Sequence, residues 1–361
     1  MREFLVANGP VAMAAGGALV GFVFGWIVFR TNFCTMGSIS DFMSFGDFRR
    51  FRAWILAAAT ALIGAQALNY AGVIDLSRSM YSSAQLDWFG NIAGGLLFGL
   101  GMVFAGGCAS RNLVRAGSGD LRSLVVLIVV GLFAYISIGG ILGPVRAELA
   151  ARTAIKFSSG PTTFPNFLTN LTGLDANSAT WIATSVIAGI ALIYCFKDAA
   201  FRSSPSHVIA GIGIGLCVIA GWALTGMAFD DMSTQPIATV SLTYVRPTGD
   251  TLEWLQRYTA GPIPNFGVAS TLGALAGALA SSLAAGRFRF ATFANANDTI
   301  RNLFGAALMG IGGVMALGCT IGQGVTGVST LAVGSFLTFA AIVTGGMMGI
   351  KKMEAILMNE I

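Results

Sequence analysis

Charge is scarce in this chain. Only 10% of its 361 residues are Asp, Glu, Lys or Arg, and there is one histidine, His207. Soluble domains carry about 25% charged residues, so the composition excludes that class. Four lysines in all, and no G-x-x-x-x-G-K-[ST] run, exclude a P-loop nucleotide engine within the chain. Five cysteines with no C-x-x-C spacing, beside a single histidine, offer neither a structural metal cluster nor a disulfide framework. Neither a dinucleotide-binding glycine fingerprint nor a haem-attachment Cys-His motif occurs, so no cofactor and no metal is expected. The net charge of +5 has no soluble basic domain to carry it and is not a nucleic-acid footprint.

What the chain does have is apolar residues, 55% of the total, and 48 glycines. This is the composition of an all-α membrane protein, in which glycine lets helices approach closely. Nine spanning segments are predicted, at 9–29, 53–74, 88–107, 121–143, 179–196, 206–229, 266–285, 301–318 and 331–350. The first is expected to be a true span and not a signal peptide: its apolar run is long, and its Gly25-Trp26 recurs as Gly221-Trp222. Of the 21 basic residues, 14 follow odd-numbered segments, among them Arg49, Arg50, Arg52, Arg111, Arg115 and Arg122. By the positive-inside rule the amino terminus lies outside and the carboxy terminus in the cytoplasm.

The chain repeats itself. Asn91, Gly94, Leu97, Gly99, Gly101, Val103, Ala105, Gly107, Cys108, Val114 and Ser118 recur 211 residues later as Asn302, Gly305, Leu308, Gly310, Gly312, Val314, Ala316, Gly318, Cys319, Val325 and Ser329. At an offset of 196, Gly25, Trp26, Phe33 and Met36 recur as Gly221, Trp222, Phe229 and Met232. Self-similarity at a fixed offset marks a duplicated unit. Residues 1–143 form one half and 206–361 the other, with 144–205 an outer linker and the fifth crossing. One extra crossing turns the second half upside down, which gives an inverted-topology repeat. Within the linker, Val145–Lys156 is expected to lie amphipathically on the membrane surface.

Four semi-polar stretches, Asn32–Phe45, Ala109–Gly119, Met232–Val245 and Thr320–Thr330, are too short to span. They are expected to be four short re-entrant helices lining an hourglass-like path, because lipid cannot satisfy their backbone. Inward-pointing helix N-termini favour an anion there.

Cys34, Cys108 and Cys319 each stand where a long helix gives way to one of these stretches. Neutral thiols in apolar turns are weak, soft donors, suited to an anion that must leave as easily as it arrives. Cys195 and Cys217 fall inside apolar runs and are expected to pack. Ser110, Asn112 and Gln323 are candidate path-lining groups. Arg111 and Arg115 either draw an anion inward or are positive-inside residues. Asp230 occupies the repeat position of Cys34; it and Asp41 are candidates for proton coupling, and an N-cap or solvated loop charge is the other reading of Asp230. Arg246 and Arg257 on the outer face are candidates for collecting an anion. Trp26 and Trp222 are expected to pack or to anchor at interfaces, and His207 to be interfacial.

These residues resemble the YeeE/YedE family of bacterial inner-membrane sulfur-compound permeases. The likeness rests on Asn32-Phe33-Cys34, the Gly107-Cys108 turn, the Ser241–Thr248 segment and the Gly318-Cys319 turn, and it runs along nearly the whole chain. It implies thiosulfate uptake through a narrow hourglass path, with Cys34, Cys108 and Cys319 contacting the anion by S–H hydrogen bonding and Cys108 central. It also implies a small soluble sulfur carrier resembling TusA as a cytoplasmic partner. Related permeases for selenium compounds or another sulfur anion are the alternative. A membrane thiol oxidoreductase is a further one, and a disulfide between Cys108 and Cys319 would be its signature.

Overall fold

Glycine faces bring the helices of this protein into backbone contact. In the computed structural model, which describes residues 8–157, 160–230 and 237–359, a Cβ built on Gly21 would lie 2.1 Å from the Ser270 carbonyl oxygen, and one on Gly25 2.1 Å from that of Ala274. From the other side, Gly273 and Gly277 meet the carbonyls of Ala18 and Phe22 at 2.2 and 2.0 Å. No side chain fits in that seam.

The helices are α1 (Gly9–Thr31), α2 (Thr35–Phe45), α3 (Arg49–Tyr70), α4 (Gly95–Phe104, entered through a π turn at Gly90–Gly94), α5 (Ala109–Gly117), α6 (Leu121–Ile138), α7 (Gly143–Thr153), α8 (Phe164–Thr172), α9 (Ala176–Phe196), α10 (Ala199–Arg202), α11 (Pro205–Met227), α12 (Arg246–Gln256), α13 (Phe266–Ala284), α14 (Ala296–Met315) and α15 (Val333–Asn359). A further short helix starts at Thr320 and runs through a π turn, Gly322–Gly327, into a 3-10 turn, Val328–Thr330. The protein is thus an all-α membrane protein. Among the described residues eight helices are long and apolar enough to cross a membrane. The eighth of the nine spans expected from sequence, here α14, is long enough but carries Asp298, Arg301 and Asn302 in its first turns. Leu19, Leu132, Val186, Ile190, Ile193 and Leu216 stand exposed on the helix flanks, as lipid-facing residues do.

Helix pairs come in matched sets. α1 packs on α13 as α11 packs on α3, and α4 packs on α15 as α14 packs on α6. Where α4 crosses α14, Gly94 meets Gly312 and Gly101 meets Gly305, each with a would-be Cβ within 2.7 Å of the opposing carbonyl oxygen. Gly94 and Gly305 are equivalent at the 211 offset, as are Gly101 and Gly312. The close approaches are thus reciprocal between the two matching stretches.

The breaks after α4 and α14 also match. Gly107 N–H donates to Met102 O at 2.8 Å and Gly106 N–H to Val103 O at 3.2 Å. Gly318 N–H and Leu317 N–H do the same to Gly313 O and Val314 O, at 2.8 and 3.1 Å. Both ends are Schellman caps, which need one left-handed residue. Gly106 supplies it in the first half at φ 70°, but the second half uses Leu317 at φ 56°. A left-handed leucine costs about 1 kcal/mol or more. Leu317→Gly is therefore expected to stabilise the protein by roughly 0.5–1 kcal/mol, after the loss of glycine's extra unfolded-state freedom. A thermal unfolding midpoint unchanged or lowered in detergent would refute it.

Two expectations about connecting segments change. Three of the four short stretches begin as helices directly after a cysteine. Of the fourth, the part through Pro236 lies outside the described residues, 237–243 is neither helix nor strand, and a helix starts at Arg246. Hydroxyls replace the missing helical bonds: Thr225 Oγ1 donates to Val240 O (2.6 Å) and accepts from Val240 N–H (3.2 Å), and Thr326 Oγ1 donates to Leu242 O (2.7 Å). In the linker, α7 ends at Thr153. Residues Ile155–Lys156 then form a short strand, β2, antiparallel to β1 (Gln85–Leu86).

Candidate functional site

The three repeat-break cysteines are N-caps. Cys34 precedes α2, Cys108 precedes α5, and Cys319 precedes the helix that starts at Thr320. Cys34 Sγ accepts from Gly37 N–H at 3.5 Å, and Cys319 Sγ from Gly322 N–H at 3.4 Å. A thiol is a poor replacement for the serine or aspartate usual at this position. Cys108 Sγ instead meets Ser110 Oγ at 3.3 Å.

Tertiary structure brings the three together. The Cys34 and Cys108 thiols are side-chain neighbours, and Thr320 reaches the Cys108 thiol from the other half. Cys319 is a further neighbour of Cys108. Cys108 thus has both Cys34 and Cys319 among its neighbours. All three are buried, with exposures of 8, 0 and 0% for Cys34, Cys108 and Cys319. Around Cys319 lie Thr243, whose Oγ1 is 3.9 Å from the sulfur, and Tyr81 and Tyr244.

The two arginines that sequence left undecided take different roles. Arg115 bonds Asp120 Oδ2 at 2.5 Å and the Gly106 carbonyl at 3.0 Å. Its charge is neutralised, and it ties the end of α5 to the break before it. Arg111 donates only to the neutral Asn32 Oδ1, at 2.8 Å, and has the Cys34 and Cys108 thiols among its neighbours. Among the described residues it forms no ion pair, so its positive charge remains available beside the thiols.

Asn112 and Gln323, repeat-equivalent at the 211 offset, both brace the breaks. Asn112 Nδ2 donates to Gly107 O at 2.8 Å, and Gln323 Nε2 donates to Ala316 O. Asp41 is paired with Arg50 at 3.3 Å. Asp230 is half-buried and immediately precedes residues outside the description. Cys195 Sγ contacts Arg52 O at 3.3 Å, and Cys217 is buried in α11, on the side of Tyr244. Trp222 is a core residue whose indole N–H donates to Ser329 Oγ at 3.0 Å. Trp26 is half-buried and carries the Arg30 guanidinium over its ring at 5.4 Å. His207 Nδ1 is 2.7 Å from Ser204 Oγ at the start of α11.

Sequence reasoning passed over the hydroxyls. Among the described residues, Thr35 Oγ1 and Tyr244 OH are buried with no hydrogen-bond partner, and Thr320 Oγ1 has only the Cys108 thiol beside it. Elsewhere in the helices Thr248, Thr251 and Thr344 bond the carbonyl four residues back. Thr35 and Thr320 sit at the first helical position, where no preceding turn offers one. A buried polar group without a partner costs about 1–3 kcal/mol, and its position beside a binding cluster is the reason to expect a ligand. The signal in the sequence was the repeated Cys-Thr pair, 34–35 and 319–320.

A buried cluster of soft donors, orphan hydroxyls and one uncompensated arginine, framed by membrane-spanning helices, defines a transporter for a small anion. The match to known proteins gives its family. Residues 30–348 match the sulphur-transport family, and the chain belongs to it; this is the family of the YeeE/YedE resemblance. Over 338 residues the chain is 27% identical to the thiosulfate transporter TsuA of Escherichia coli K12, covering 87% of each protein. Over 340 residues it is 28% identical to the thiosulfate transporter TsuA of Spirochaeta thermophila, covering 91% of this chain and 96% of that protein.

Proposed function

We propose that this protein is a thiosulfate permease of the bacterial inner membrane. The observation that carries the reading is the juxtaposition of the Cys108 thiol with Cys34, Cys319 and Thr320. Thiosulfate is a dianion with a soft sulfane end and hard oxygens. Neutral thiols suit the former and threonine hydroxyls the latter, and Arg111 offsets one of the two charges. Family membership and the names of both relatives point the same way.

The halves are taken as an inverted repeat, which the reciprocal glycine contacts support. With the amino terminus outside, α14 runs outward to Cys319, and α1 and α4 run inward to Cys34 and Cys108. The anion then meets Cys319 first, Cys108 next and Cys34 last, and leaves past Arg111 into the cytoplasm. Arg246 and Arg257 stand on the outer side, with side chains 71 and 69% exposed, and collect the dianion. A soluble sulfur carrier resembling TusA would receive it on the cytoplasmic side. Burial of all three cysteines requires the short helices to move during each passage.

The test is uptake of labelled thiosulfate by proteoliposomes containing only this protein. Accumulation competed by selenite, sulfite or sulfate as strongly as by thiosulfate would shift the reading to another anion. No uptake, with uptake restored by a TusA-like carrier inside the vesicles, would make the carrier obligatory. Arg111→Gln is expected to raise the KM about tenfold or more, because hydrogen bonds to charged groups contribute roughly 1.5–3 kcal/mol. An unchanged KM would remove Arg111 from the path.

A further inference from the structure

Away from the thiols, three titratable side chains share too few hydrogens. Tyr135, in the last turn of α6, has its hydroxyl oxygen 2.7 Å from Asp250 Oδ1 and 2.7 Å from Glu253 Oε2, both on α12. The phenol owns one hydrogen and satisfies one carboxylate. The other contact, at the same length, would set a carboxylate lone pair against a phenol lone pair unless that carboxyl carries its own proton. The arrangement closes only as Asp250 O–H to Tyr135 O, and Tyr135 O–H to Glu253 carboxylate.

Surroundings settle which carboxyl holds the proton. Glu253 pairs with Arg257 at 2.9 Å and is open to water. Asp250 is shielded, with its side chain 15% exposed and only Arg246 nearby, at 3.7 Å on a largely exposed side chain. Burial, helped by the Glu253 charge, pushes the Asp250 carboxyl above the ordinary carboxylate range, against the lesser pull of Tyr135 and Arg246. The Tyr135 and Arg257 hydrogen bonds hold Glu253 below that range. Of the helices packed on α12, α6 offers only Tyr135 here, its Arg122 lying in the far first turn, and α13 has no charged residue.

We propose that Asp250, Tyr135 and Glu253 form a proton-binding site that fastens α12 to α6 and thereby controls the irregular segment beside Cys319. The mechanical link is short. Tyr244 O accepts from Thr248 Oγ1 in the first turn of α12, and Thr243 touches the Cys319 thiol. Gly249 packs against the Tyr135 ring, where a Cβ would come within 2.4 Å, so the ring cannot turn away without moving α12. With the proton bound, α12 is docked and the segment is held against Cys319. Loss of the proton frees both. Because the Asp250 pKa is raised in the docked state, docking is favoured at low pH and is lost as pH rises through that raised value. In the orientation proposed above the site faces the outside, so external pH sets the readiness of the outer mouth.

The experiment is hydrogen–deuterium exchange of the full-length protein in liposomes, without substrate, corrected for the intrinsic pH dependence of exchange. Protection of residues 246–256 is expected to fall about tenfold as pH rises from mildly acidic to mildly alkaline. In Asp250→Asn the amide donates to the phenol oxygen at every pH, and protection should stay constant over that range. In Glu253→Gln the phenol is free to serve an ionised Asp250, and the fall should move to lower pH. Constant protection in the native protein, or a native profile retained in both variants, overturns the proposal. If Asp250→Asn does not fold, the shift in Glu253→Gln decides alone. Exchange is read without thiosulfate, so failure of the thiosulfate reading leaves this test standing.

Discussion

Cys108→Ala is expected to abolish thiosulfate uptake, to below roughly one-hundredth of the native rate, while leaving the protein folded. That factor corresponds to about 2.7 kcal/mol, within reach for a group whose loss breaks a chain of contacts at its centre. Cys108 is the sole cysteine that neighbours both of the others, and its sulfur is not tied up as an N-cap acceptor as those of Cys34 and Cys319 are. Removing it leaves the anion no thiol between Cys319 and Cys34, only the Ser110 and Thr320 hydroxyls. The fold has less at stake: alanine keeps the backbone geometry, and the lost Ser110 contact is a weak one. Cys195→Ala and Cys217→Ala are the controls, with uptake near native, because both thiols only pack. Native-like uptake by Cys108→Ala would remove the central thiol from the mechanism. Loss of uptake in either control would place it there instead.

Gly25→Leu is expected to prevent folding altogether, seen as loss of a monodisperse peak in detergent and of membrane-inserted yield. Gly25 faces the Ala274 carbonyl, with 2.1 Å left for a Cβ. Ordinary overpacking of a core costs about 1–3 kcal/mol because side chains can shift. Here the opposing atom is backbone, on a helix held from its own side by Gly273 and Gly277. α1 and α13 would have to separate along their whole seam, which also displaces Cys34 at the end of α1. Gly189→Leu is the comparison, since nothing lies within 4 Å of a Cβ there. Equal yields of the two variants would show that the α1–α13 seam is less rigid than its distances imply.

Much of this was legible in sequence. Scarcity of charge fixed the solvent, because a chain with so few ionisable groups cannot face water on all sides. The repeat at offset 211 matched Cys108 with Cys319, and each follows a helix end capped in the same way. Helix boundaries followed from the apolar runs, α1, α11 and α13 within a few residues. The Thr35 and Thr320 hydroxyls went unnoticed because threonine is unremarkable until its partner is known to be missing.

Other features belong to the tertiary structure alone. Arg111 and Arg115 are four residues apart on one short helix and indistinguishable in sequence. Asp120 folds back onto Arg115 and neutralises it, while Arg111 meets only Asn32. The irregular stretch 237–243 was also beyond reach, since Thr225 and Thr326 bond it from distant positions and its own Ser241 donates to Val218 O. The meeting of Tyr135 with Asp250 and Glu253 joins residues more than a hundred positions apart. By itself the sequence determined the solvent, the helices and the duplicated thiols, because composition and periodicity are local properties. Which charges are cancelled, which hydroxyls lack partners and which carboxyl keeps a proton were decided by packing, because each depends on what the fold brings within about 3 Å, the reach of a hydrogen bond.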